Sequence, residues 1–65
     1  MVNAMEKNSQ IILRYLNKNE HVTLTEMVKK ISLSRGQIRV AVAFLLGAKK
    51  IIEVNIGMAK VYNLK

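Results

Sequence analysis

The groups able to do chemistry are few in this chain: one histidine, four carboxylates, two tyrosines and no cysteine. Without Cys there is no disulfide, thiolate metal site or cysteine nucleophile. One imidazole cannot build a multi-histidine metal cluster. His21 stands beside Glu20 at a turn, a setting for a surface or capping residue rather than a ligand or base. Glu26 and Glu53 lack a second carboxylate or metal ligand at useful spacing, and Glu26 already has a use as a helix cap. Tyr15 and Tyr62 are expected half-buried with their hydroxyls outward. Gly36, Gly47 and Gly57 are scattered and form no phosphate-cradling loop. The expectation is therefore no enzyme activity, no cofactor, no metal and no small-molecule substrate.

What the chain has in quantity is positive charge. Eleven Lys and Arg against four acidic residues give a net charge of +7, with a pI near 10.2. A basic domain of this kind commonly meets nucleic acid, less often an anionic membrane or an acidic protein. Beside the two tyrosines, Phe44 is the one further aromatic, too few for a platform that stacks single-stranded bases.

The elements that must carry this charge fit in one small α+β domain spanning residues 1–65. At 65 residues and 51% hydrophobic, the chain folds, but its core is marginal and a partner or second copy would help it. No apolar run approaches the roughly eighteen residues of a membrane helix, and Met1 to Gln10 contain no apolar signal segment. A reducing cytoplasm is the expected location.

The first periodic segment runs from Ala4 to Lys18, with Met5, Ile12, Tyr15 and Leu16 at helical spacing and Asn3 as candidate N-cap. Asn17 to Glu20 read as a turn, and His21 and Val22 as a short extended stretch that could form a strand between the first two helices. Thr23-Leu-Thr-Glu26 and Ser34-Arg-Gly-Gln37 both match a capping box, with Val22/Met27 and Leu33/Ile38 as hydrophobic staples. Two helix starts eleven residues apart leave room for about two turns of helix, a tight turn at Ser32-Leu33, and a new helix. That is a helix-turn-helix. The third helix runs from Arg35 to between Leu46 and Lys49, with Ile38, Ala41, Val42 and Leu45 on its core face. After it, Ile51–Val54 and Lys60–Leu64 read as strands of a hairpin separated by Asn55 to Ala59, where Gly57 can take a positive φ.

Helix, short strand, helix, helix and hairpin is the order of a winged helix, and the stretch from Thr23 to Leu46 resembles the helix-turn-helix of winged-helix DNA-binding domains. The likeness is closest to a group of small, free-standing winged helix-turn-helix proteins of bacteria and archaea. Their third helix reads similarly to Ile38, Val40, Ala41, Val42, Ala43, Phe44, Leu45 and Leu46. There are two departures. The inter-helix turn usually has Gly where Ser32 stands, and a left-handed Ser32 would cost about 1 kcal/mol more than Gly. The Gly that commonly precedes the first wing strand is replaced by Lys49.

The resemblance implies that the third helix enters the major groove of double-stranded DNA. By position Arg35, Gly36, Gln37, Arg39 and Val40 would reach base edges, Arg suiting guanine and Gln adenine. Ser34 with the amides at the helix start, and Lys29, Lys30, Lys49, Lys50 and Lys60, would meet the phosphate backbone. Ile56 and Met58 at the wing tip are apolar, so wing contact rests on Lys60. The implied role is a small transcriptional regulator or chromatin-associated protein, associated with the nucleoid.

One feature points elsewhere. Opposite its core face the third helix carries Gly36, Val40, Ala43 and Gly47, with Phe44 and Leu46 on the flanks. Small and apolar residues there suit packing against another helix better than groove reading. Val40, Ala43, Phe44, Leu46 and Gly47 are therefore the expected face for a homodimer or a protein partner, and a protein-interaction winged helix is the alternative function.

Overall fold

The computed structural model describes residues 4–65; the candidate cap Asn3 lies outside them. Three helices, α1 (Ala4–Lys18), α2 (Leu24–Lys30) and α3 (Arg35–Gly47), precede an antiparallel hairpin of β1 (Ile51–Ile56) and β2 (Ala59–Leu64). This is the expected α+β architecture.

Local chemistry fixes each boundary. Thr23 caps α2, its Oγ1 accepting the Glu26 N–H at 3.0 Å. The reciprocal half of that box is not made, because the Glu26 carboxylate turns to Tyr15 instead, accepting its hydroxyl at 2.7 Å. A hydrogen bond from a hydroxyl to a charged carboxylate outweighs one to a backbone amide that solvent can also satisfy. At Ser34 the box is complete: Oγ accepts the Gln37 N–H at 3.1 Å and Gln37 Oε1 accepts the Ser34 N–H at 3.0 Å. Such a cap contributes about 1 kcal/mol. Between the two helices the chain leaves α2 through an extended Ile31 (φ −105°, ψ 137°). Ser32 has no positive φ, so the feared cost of a left-handed serine does not arise.

At the other end of α3 the departure does matter. Lys49 takes φ 59°, its N–H donates to the Leu46 carbonyl at 3.1 Å, and the Lys50 N–H donates to Leu45 at 3.0 Å. This is a Schellman cap with lysine where glycine is usual. The hairpin is tighter and longer than the sequence suggested. Pairing extends to Ile56↔Ala59, so Asn55, Ile56 and Ala59 belong to the ladder and the loop is the two residues Gly57 and Met58. Gly57 has φ 61° and Met58 does not go positive, the pattern of a type II′ turn, whose twist matches that of the strands.

The stretch expected as a strand after α1 is a single antiparallel bridge. Val22 donates to the Tyr62 carbonyl at 3.2 Å and accepts from the Tyr62 N–H at 2.8 Å. A left-handed His21 (φ 54°) prevents its extension. Its N–H donates to Asn63 Oδ1 at 2.7 Å, and Asn63 Nδ2 lies 3.3 Å from its Nδ1.

Ile12, Val22, Met27, Ile38 and Leu45 are the largest fully buried side chains, joined by Leu16, Ile31, Ala41, Val42, Ile51 and Tyr62 in one cluster. The stripe assigned to the core face of α3 is the buried one. Met5, read from its spacing as a core residue, is 39% exposed, on an open recess between α1 and α3; Tyr62 is buried rather than half-buried. Ser9 is buried on α1 and its hydroxyl has no partner among the described residues.

Because a left-handed β-carbon costs about 1–2 kcal/mol and glycine returns part of that as chain entropy, Lys49→Gly should stabilise the fold by roughly 0.5–1 kcal/mol. Lys49→Ala, which keeps the β-carbon, should not. Urea midpoints of the two variants measure the difference; equal midpoints would show that no strain resides at this cap.

Candidate nucleic-acid interface

Burial of Ile38, Ala41, Val42 and Leu45 sets the rotation of α3. At about 100° per residue, Arg35, Arg39 and Leu46 then fall on one flank and Gln37, Val40 and Phe44 on the other. Two recesses follow from this division. On the first flank a recess of about 330 Å³ lies between α3 and β2, with Arg39 and Lys60 on it and Leu24, Val42, Ala43, Leu46 and Tyr62 as the remaining lining. On the second, a recess of about 310 Å³ is shared with α1: Met5 and Asn8 face Gly36, Gln37, Val40 and Ala41.

Arg35, Gly36, Gln37, Arg39 and Val40 are all exposed, but they do not converge on one spot. Arg39 is brought to Lys60, whereas Gln37 and Val40 are brought to α1. Gln37 spends its carbonyl oxygen on the α3 cap, the same oxygen that would accept from an adenine amino group. Ser34 Oγ is an acceptor in that cap, which leaves its hydroxyl proton to donate outward. Lys29 and Lys30 are exposed at the end of α2, and Lys30 lines a separate recess with α1. Lys49 and Lys50 stand beyond the far end of α3, about 20 Å along its axis from Arg35. Of the residues expected on a dimer face, Ala43 and Leu46 line the Arg39 recess, while Val40 and Phe44 are 54% and 46% exposed on the opposite flank.

Sequence reading missed the carboxylate beside this cationic groove. Glu53 pairs directly across the hairpin with Tyr62, whose hydroxyl donates to Glu53 Oε1 at 3.1 Å. Lys60 lies 4.0 Å from Glu53 Oε2, its own side chain 64% exposed. Placing the turn on Gly57-Met58 would have given this pair by counting back along the strands. Both tyrosine hydroxyls thus point at carboxylates rather than outward. Burial raises the Tyr62 pKa above its ordinary value, the hydrogen bond and charge of Glu53 raise it further, and the Arg39 charge works against them. Tyr15 is raised chiefly by its hydrogen bond to Glu26, then by burial and the Glu26 charge.

Among the described residues no helix is long and apolar enough to cross a membrane, and no three metal-ligating side chains gather. No family model and no curated protein matches the chain. Among solved structures it is similar to the apo Zalpha domain of zebrafish PKZ, with a TM-score of 0.85 and 19% identity over 95% of this chain and 97% of that one. The likeness establishes the fold, a winged helix with β1 and β2 as its wing.

Both phenols hold their protons above the ordinary pKa of 10.0, so the unfolded chain releases them first. The stability they contribute is complete below pH 10 and is lost as pH rises through the raised values. Tyrosinate absorbance should show both groups ionising later in the folded protein than in urea. Glu53→Gln should bring the Tyr62 midpoint down and leave Tyr15 unmoved.

Proposed function

We infer that this protein binds double-stranded DNA, with the start of α3 in the major groove, as a small transcriptional regulator or nucleoid-associated chromatin protein. The observation that carries this reading is the placement of both Arg39 and Lys60 on the α3–β2 recess, on the same helix flank as the exposed Arg35. A net charge of +7 on a winged helix agrees with it. Arg35 and Arg39 read guanine edges, Ser34 and Lys60 hold phosphates, and Gly36 lets the helix backbone approach. A β-carbon on Gly36 would meet nothing within 4 Å, so no intrachain contact asks for glycine there. The same α3 pattern supports kinship with the small free-standing winged helix-turn-helix proteins of bacteria and archaea.

Anisotropy of a labelled mixed-sequence duplex across a salt series tests the reading. With about six phosphate contacts, affinity should fall about 10³-fold between 50 and 200 mM salt. Arg35→Ala and Arg39→Ala should each cost about 1–3 kcal/mol. Absence of binding at low salt would end the proposal.

A second reading has its own observation. Met5, Val40 and Phe44 are 39%, 54% and 46% exposed on the flank of α3 away from Arg39. That face suits a second copy, and a dimer through it leaves the arginine flank open. Sedimentation equilibrium should show association at tens to hundreds of micromolar, abolished by Phe44→Glu; a clean monomer at that concentration rules the homodimer out.

A further inference from the structure

A third recess shares only Lys30 with the DNA reading and nothing with the dimer face. It is a groove of about 400 Å³ between α1 and the turn that joins α2 to α3. Its floor is apolar: Ile11 and Tyr15 from α1, Ile31 and Leu33 from the turn, of which Ile31 is buried and the others half-buried. Its rim is cationic, with Arg14 and Lys18 on one side and Lys30 on the other, all exposed. No ion pair of Arg14, Lys18 or Lys30 is found among the described residues. Glu26, the carboxylate tied to this groove through Tyr15, already accepts that hydroxyl.

We propose that this groove docks an acidic segment of a partner protein that inserts one apolar side chain between α1 and the turn. The chemistry on both sides of the groove selects this occupant. Three cations around an apolar floor match a chain that carries carboxylates on either side of a Leu or Phe. A nucleic-acid backbone would use the cations and leave the floor empty, since phosphates and sugars present nothing apolar to fill it. Ile11, Arg14, Tyr15 and Lys18 recur at positions i, i+3, i+4 and i+7, one stripe about 10 Å long, which a short peptide spans. Lys30 is the one residue shared with the DNA reading, and the test below turns on Arg14 and Lys18, which that reading does not use, so either can fail without the other.

The test uses a fluorescein-labelled peptide of Glu and Ser with a single central Leu, titrated with the whole protein at physiological salt. Saturable binding is expected, with amide shifts of Ile11, Tyr15, Ile31 and Leu33 in the ¹⁵N spectrum. Replacing the peptide's Leu by Ser should weaken binding about tenfold, the loss of one buried apolar side chain. The exposed pair Arg14→Gln and Lys18→Gln should weaken it comparably while leaving the thermal melt and duplex affinity within about twofold. Arg35→Ala with Arg39→Ala should leave peptide binding unaltered. Equal binding of the Ser peptide would reduce the effect to bulk charge and overturn the proposal. So would displacement by saturating duplex, loss of binding in the Arg35/Arg39 variant, or shifts confined to α3 and β2.

Discussion

The burial of Ile38, Ala41, Val42 and Leu45 against α1, α2 and the hairpin fixes the rotation of α3, and the surface of the protein follows from it. Each residue of helix turns about 100°, so once this stripe is seated the direction of every other α3 side chain is set. With that stripe seated, Arg39 has to face β2, and Val40 and Phe44 have to face the α1 side. Arg35 and Arg39, proposed for DNA, therefore stand on a different flank from Val40 and Phe44, proposed for a second copy, while Gly36 lies on the recess of the latter. A helix that seemed too apolar to read a groove and too basic to be plain packing resolves into two flanks.

Charge is organised by the same frame. The cations form separate groups: Arg35, Arg39 and Lys60 about α3 and β2, Arg14, Lys18 and Lys30 about the α1 groove, and Lys49 with Lys50 beyond α3. Screening at physiological salt acts over about 8 Å, so each group acts chiefly on charges that reach its own face. Glu26 and Glu53 each take a hydrogen bond from a tyrosine, which ties the negative charge nearest each groove to a fixed position.

Much of this was legible in the sequence because its signals are local. The two cap sequences, the α3 stripe and the alternation of the hairpin each concern residues within a few positions of one another. Helix boundaries therefore came out close, down to Ala4–Lys18 for α1. What escaped was non-local or a matter of competition. Glu26 had two partners available, and the one eleven residues away won. Glu53 meets Tyr62 only once the turn is known to be Gly57-Met58. The groove at Ile11 and Leu33 exists only after α1 and the turn have packed. Lys49 hides its strain because lysine gives no sign of a left-handed backbone.

The bridge between Val22 and Tyr62 bears on how the molecule assembles. The neighbouring bond from His21 to Asn63 joins residues 42 apart, whereas the helix-turn-helix is held by contacts within a few turns of chain. Closing so long a loop costs about 3 kcal/mol of chain entropy before any bond repays it. Local helical contacts carry a smaller loop-closure cost than this clamp, which favours their forming before it. Ile51 and Tyr62 lie in the same buried cluster as the helices, so releasing the clamp would also expose the core, and wing and helices open as one cooperative unit.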